Sequence, residues 1–167
     1  MGDEKKELER QIENVSVKKE DGGKYGAIEY VDLPRGFVKI VNDFETKYLV
    51  KVRLPITGKM VRCHKSMANP LIKVLDEIVS RSQYDPEYEY IYDIQIWCPR
   101  HMWYLSTKPL SRHAFGLAVD INPSDNLPGT DGTVPPGIVD LFESNGFTWG
   151  GRWKKKDPMH FELRLVL

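Results

Sequence analysis

Four histidines, His64, His101, His113 and His160, and the carboxylates beside them are the residues of this 167-residue chain best equipped for chemistry. Two of them have company. His113 stands seven residues before Asp120 in Ser111-Arg112-His113-Ala114-Phe115-Gly116-Leu117-Ala118-Val119-Asp120. On one straight strand an odd separation sends two side chains to opposite faces, so both reach one ion only if the chain bends between them. Gly116 permits that bend. His160 lies on the polar side of a terminal strand, next to Glu162, and Asp157 precedes it across Pro158. If the two late strands pair, Asp120 and His160 project from one face of a sheet. Two imidazoles and one carboxylate then supply the three protein ligands of a catalytic zinc, with the fourth tetrahedral position open to water. Asp157 is the spare carboxylate, placed to take a proton. The competing reading is that these are ordinary hydrogen-bonded groups at strand ends: His-x6-Asp is a weak signal alone, and the H-E-x-x-H helix motif is absent.

The elements that must position these residues are read from periodicity. Tyr48, Val50, Val52 and Leu54 alternate with Lys47, Lys51 and Arg53, a half-buried strand, and Pro55-Ile56-Thr57-Gly58 turns it back through Lys59 to Cys63 as a hairpin. A helix follows, with Asn69 as N-cap, Pro70 at its first position, and Leu71, Val74, Leu75, Ile78 and Val79 on one face, ending near Ser82. Tyr90 to Trp97 reads as a strand. Leu117, Val119 and Ile121 alternate with Ala118, Asp120 and Asn122 as another. A short helix is expected around Ile138, Leu141 and Phe142, closed by Asn145-Gly146, and a last strand has Met159, Phe161, Leu163 and Leu165 on one side and His160, Glu162 and Arg164 on the other. Strands and helices do not alternate as βαβ units, so the expected class is α+β, a mainly antiparallel sheet flanked by helices. Residues 1–24 are rich in charge and read as an N-terminal arm outside the core, with Leu8, Ile12 and Val15 forming a one-sided stripe; residues 25–167 form a single domain.

Composition narrows the function. Lys and Arg number 24 and Asp and Glu 24, for a formal net charge of zero, which argues against a general polyanion binder and hence against a nucleic-acid partner. No run approaches the roughly 18 to 20 apolar residues that span a bilayer, and the N-terminus lacks an apolar signal core. Met1-Gly2 is not a myristoylation signal, because Lys6 occupies the position that calls for Ser or Thr. Cys63 and Cys98 cannot form a four-ligand structural zinc site; two thiols or one disulfide both fit. A monomer is expected.

Ser111-x-His113-x-x-Gly116-x-Ala118-x-Asp120-Ile121-Asn122, then Trp149-Gly150-Gly151-x-Trp153, then Asp157-Pro158-Met159-His160-Phe161-Glu162 resembles the zinc D-alanyl-D-alanine carboxypeptidase and L-alanyl-D-glutamate endopeptidase family, which cuts peptidoglycan stem peptides. The resemblance runs from about Cys98 to Leu163. It implies the Hedgehog/D,D-peptidase fold, one zinc per chain held by His113, Asp120 and His160, and Asp157 as catalytic acid/base. Cys98-Pro99-Arg100-His101 is similar to the segment that supplies the family's active-site arginine, so the resemblance implies that Arg100 steadies an oxyanion or a substrate carboxylate. Ser111 either donates a hydrogen bond in the site or only forms a turn. Trp149 and Trp153 either line the substrate groove or pack over the core. Glu162 is expected behind the ligands or at the surface, and His64 and His101 are not expected to bind metal. The implied activity is hydrolysis of stem peptides, as carboxypeptidase or endopeptidase, in the cell envelope or outside the cell. A module that keeps the zinc and binds cell-wall peptides without turnover is the alternative.

Overall fold

A computed structural model describes residues 16–164. The class is α+β, with three antiparallel sheets. The first sheet is a meander of β1 (Lys18–Asp21), β2 (Ala27–Asp32) and β3 (Val38–Ile40) in that order. Helix α1 (Phe44–Tyr48) leads into the second sheet, the hairpin of β4 (Leu49–Arg53) and β5 (Met60–His64). Helix α2 (Lys65–Ser82) crosses to the third sheet, where β6 (Ile94–Gln95), β7 (Ala118–Ile121), β8 (Phe147–Trp149) and β9 (His160–Leu163) lie in the order β6-β7-β9-β8. Helix α3 (Pro136–Ser144) packs against α2 and β8.

One apolar cluster holds these parts together. From α2 it takes Met67, Leu71, Val74, Leu75 and Ile78, and from α3 Ile138, Val139 and Phe142. The third sheet adds Val119, Ile121, Phe147 and Phe161. Phe142 stacks on Phe161 with ring centroids 4.3 Å apart and meets Phe147 edge-on at 5.3 Å. Each such side chain withdrawn from water contributes about 1.5–3 kcal/mol, which fixes the inner face of the sheet and so decides what its outer face presents.

Several sequence expectations need correction. The long helix starts at Lys65, not at Asn69. His64 is its N-cap, with Nδ1 accepting from the Ser66 N–H at 3.0 Å, and Pro70 lies inside the helix, where its missing N–H removes one i−4 bond. Val79 points outward at 37% exposure, one position beyond the buried stripe. Of the strand expected over Tyr90 to Trp97, only Ile94–Gln95 pairs with a neighbour. Part of the segment read as an arm is built into the fold: Lys18–Asp21 pair with residues 27–30, and the Glu20 carboxylate accepts from the Leu110 N–H at 2.8 Å. The Leu8, Ile12 and Val15 stripe and Leu165 lie outside the described residues. Both cysteines are free thiols, and burial pushes that of Cys63 up to about 11.

Candidate metal centre and its cleft

The site is built on the outer face of the third sheet. Asp120 on β7 and His160 on β9 are directly opposed in the antiparallel register, so their side chains leave the same face. Gln95 on β6 opposes Asp120 from the other flank. Val119 and Phe161, one step along, turn inward and are fully buried. His113 arrives from a different direction, on a short 3-10 turn, Arg112–Phe115. Ser111 caps that turn, its Oγ accepting from the His113 N–H at 3.3 Å. Gly116 ends it in the left-handed region at φ 69°, and a Cβ there would meet the His64 backbone nitrogen at 2.7 Å. No other residue fits without strain, so Gly116 supplies the bend between His113 and its partner carboxylate.

The three side chains converge. Asp120 Oδ1 lies 3.1 Å from His113 Nε2 and 3.3 Å from His160 Nδ1, and the imidazoles meet edge-on at 5.1 Å. Ligand atoms from all three fall within 4.8 Å of one another, a group that could hold a metal ion. The remaining nitrogens show which atoms are free for that task. His113 Nδ1 donates to the Ile96 carbonyl at 2.6 Å, which leaves Nε2 as the lone-pair nitrogen of the neutral ring. His160 Nε2 donates to Glu162 Oε2 at 2.8 Å, which leaves Nδ1. His113 Nε2 and Asp120 Oδ1 are buried and, despite their proximity, make no aligned hydrogen bond. Buried polar atoms without partners are uncommon in folded proteins, and here they point at one another around a common point.

Charge follows geometry. Burial works to raise the Asp120 carboxyl, but the two imidazoles beside it hold it far below the usual carboxylate range. Burial works to lower His160, and the Asp120 and Glu162 carboxylates override it, raising the ring to about 9. Asp157 moves the other way: burial raises its carboxyl, and its Oδ1 is buried without a hydrogen-bond partner. The Asp157 N–H donates to the Gly150 carbonyl at 3.0 Å and its own carbonyl accepts from the His160 N–H at 3.1 Å, so this residue is tied to the start of β9. Gly150 is required there, because a Cβ would lie 2.4 Å from the Asp157 carbonyl oxygen.

Two cavities of about 470 and 420 Å³ meet at the centre and share Gln95, Arg100, Tyr104 and Asp120 in their walls. His113 lines the first; His160 and Asp157 line the second. Arg100 therefore faces both arms. Its guanidinium lies 4.5 Å from the Tyr104 ring centroid and donates to the His101 carbonyl at 3.2 Å, and its own carbonyl accepts from the Ser111 N–H.

Ser111 and Trp153 line the second cavity, with Trp153 5.3 Å from the His160 ring. Trp149 does not. Its register opposite Phe161 puts it on the inner face, where it stacks on that ring at 6.2 Å and donates from Nε1 to the Pro158 carbonyl at 2.8 Å. Of the two places open to Trp149 from the sequence, the core is the one it takes. Glu162 lies behind His160 rather than in the ligand set. His64 and His101 have other work: His64 Nε2 donates to the Tyr25 carbonyl at 3.1 Å, and His101 sits between the Lys108 carbonyl at 2.6 Å and Asp32 at 2.8 Å.

Several features of these walls escape sequence reasoning. Trp103 and Tyr104 sit on a loop with both residues at φ 56°, which no spacing rule anticipates. The Ile96 carbonyl that fixes the His113 tautomer leaves no trace in side-chain identity. Arg112 donates to the Leu163 carbonyl at 3.1 Å and lies 5.4 Å over the Tyr25 ring, while its Nε is buried without a partner.

Comparison with curated proteins and with solved structures gives no match. Residues 105–163 match the family model described as D-alanyl-D-alanine carboxypeptidase, a stretch that holds His113, Asp120, Asp157 and His160 and begins after Arg100. This match, together with the converging His113, Asp120 and His160, supports the zinc D,D-peptidase family for this chain.

Proposed function

We propose that the protein is a zinc-dependent peptidase acting on peptidoglycan stem peptides, in the cell envelope or outside the cell, with His113, Asp120 and His160 holding one zinc ion per chain. The observation that carries this reading is the pair of buried, unpartnered atoms His113 Nε2 and Asp120 Oδ1, with each imidazole's other nitrogen already committed to a backbone carbonyl or a carboxylate. Two nitrogens and one carboxylate oxygen are a donor set suited to zinc, and the backing by Ile96 and Glu162 is the kind of outer contact that orients such ligands.

When bound, zinc polarises the scissile carbonyl and makes water more acidic. The chain's own groups do the rest. Asp157, half-buried beside His160 with its carboxyl raised by burial, accepts the proton of the attacking water and passes it to the leaving amine. Arg100 faces both arms of the cleft, where a permanently charged fork can bond an oxyanion or a substrate carboxylate. Trp103 and Trp153 wall the arm that holds Asp157 and limit its access to water. Because the cleft extends to both sides of Asp120, substrate can occupy it on both sides of the bond to be cut.

Incubation with peptidoglycan tests this. New amines should appear, chelation should stop their release and zinc should restore it. Asp157→Asn should keep the metal and slow turnover by about 10² to 10⁴-fold, the usual value of a general acid/base. Zinc-loaded protein that binds muropeptides yet releases no amine at any pH would support the binding module instead.

A further inference from the structure

The two arms of the cleft differ in charge. In the arm that contains Asp157, the carboxylates of Asp157, Glu162 and Asp120 face Arg100 and Arg112. In the other arm the cations are Lys59, Arg62 and Arg100, and among the described residues the only carboxylate is Asp120, which belongs to the proposed zinc site. The chain has a formal net charge of zero, so this clustering is local.

The basic arm is also built rigidly. Trp97 forms part of its wall, and its Nε1 donates to the Ala114 carbonyl at 3.1 Å, tying the indole to the same turn that carries His113. The Arg62 guanidinium lies 5.2 Å from the Trp97 ring centroid and is held from behind by Glu45, Nη1 to Oε2 at 2.8 Å. Glu45 does not line the cavity. A guanidinium has five N–H donors, so this contact leaves most of the fork for a ligand, and the aromatic platform and the ion pair fix its plane beforehand. Lys59, in the turn of the β4–β5 hairpin, adds an ammonium that has no ion-pair partner among the described residues.

We propose that the arm formed by Lys59, Arg62 and Trp97 is a subsite for a carboxylate of the substrate peptide, placed in the half of the cleft that Asp157 does not line. The subsite rests on the peptidase reading above and adds to it a recognition rule: the substrate carries an anionic residue on one defined side of the bond to be cut. Two carboxylates of a stem peptide have this chemistry, the free α-carboxylate of a γ-linked D-Glu and the C-terminal carboxylate.

Calorimetric titration of the full chain tests the subsite without requiring turnover. The probes are the pentapeptide L-Ala-γ-D-Glu-L-Lys-D-Ala-D-Ala, the same peptide amidated at the D-Glu α-carboxylate, and the same peptide amidated at its C-terminus. Amidation at one of the two positions should weaken binding about fivefold, the size of one partly exposed ion pair, and so name the group that occupies the arm. Lys59→Gln with Arg62→Gln should bring that ratio to about one. Lys59→Gln alone should lower it while leaving thermal unfolding unchanged, which separates recognition from any loss of fold. Equal binding of all three peptides, or a ratio that persists in the double variant, would overturn the subsite and leave the peptidase reading standing. Failure of every peptide to bind, with no amine released from peptidoglycan, would overturn both.

Discussion

The four histidines are buried almost equally, His64 and His101 at 1% exposure, His113 at 2% and His160 at 6%, yet they divide into two pairs. His64 and His101 have both ring nitrogens engaged by the protein: a helix N-terminus and the Tyr25 carbonyl for one, the Lys108 carbonyl and Asp32 for the other. His113 and His160 each have one nitrogen engaged and one aimed at Asp120 without an aligned hydrogen bond. Burial therefore does not separate a structural histidine from a candidate ligand. What separates them is whether the second lone pair already has a partner, because an imidazole saturated by the fold has nothing left to offer an ion.

The contrast extends to charge. Burial lowers the His64 pKa, as expected of a neutral ring that accepts from an N–H, whereas two carboxylates raise His160 against the same burial. One environment keeps the ring neutral; the other gathers negative charge that a cation can satisfy.

Two changes sharpen this comparison. Glu162→Gln removes the carboxylate behind His160 while leaving all three proposed ligands in place. It should weaken zinc affinity by about 10- to 100-fold, the usual effect of losing an outer-shell partner, measurable by competition with a chromogenic chelator; unchanged affinity would reduce Glu162 to a surface residue. His64→Ala should act only on the fold. Loss of the cap on α2 should destabilise the protein by about 0.5–2 kcal/mol in denaturant titration, with zinc affinity unaltered, and a large change in zinc affinity would erase the distinction between the two pairs.

The legible parts of the molecule were those whose information lies close together in the chain. The Leu71, Val74, Leu75 and Ile78 stripe gave the body of α2, and the alternation through Leu54 with its Pro55-Ile56-Thr57-Gly58 turn gave the β4–β5 hairpin. The bend at Gly116 and the common face of Asp120 and His160 were also readable, because both follow from residue type and strand period. The start of α2 was misplaced because histidine is not among the usual capping residues and Pro70 imitates a first helical position. The β1–β3 meander was missed because short strands such as Val38–Ile40 draw their order from neighbours rather than from their own pattern. Trp149 could be sent to the core only by its register against Phe161, and the backing of His113 by a backbone carbonyl has no signature in sequence at all.

The central claim is that His113 and His160, and not His64 and His101, hold a metal ion together with Asp120. Zinc per chain, determined by elemental analysis of protein purified without chelator, tests it across four single alanine variants. About one equivalent is expected in the wild type, in His64→Ala and in His101→Ala, with little in His113→Ala and His160→Ala. Stoichiometric zinc surviving in both His113→Ala and His160→Ala, or lost with His64 or His101 while those variants remain folded, would contradict the account.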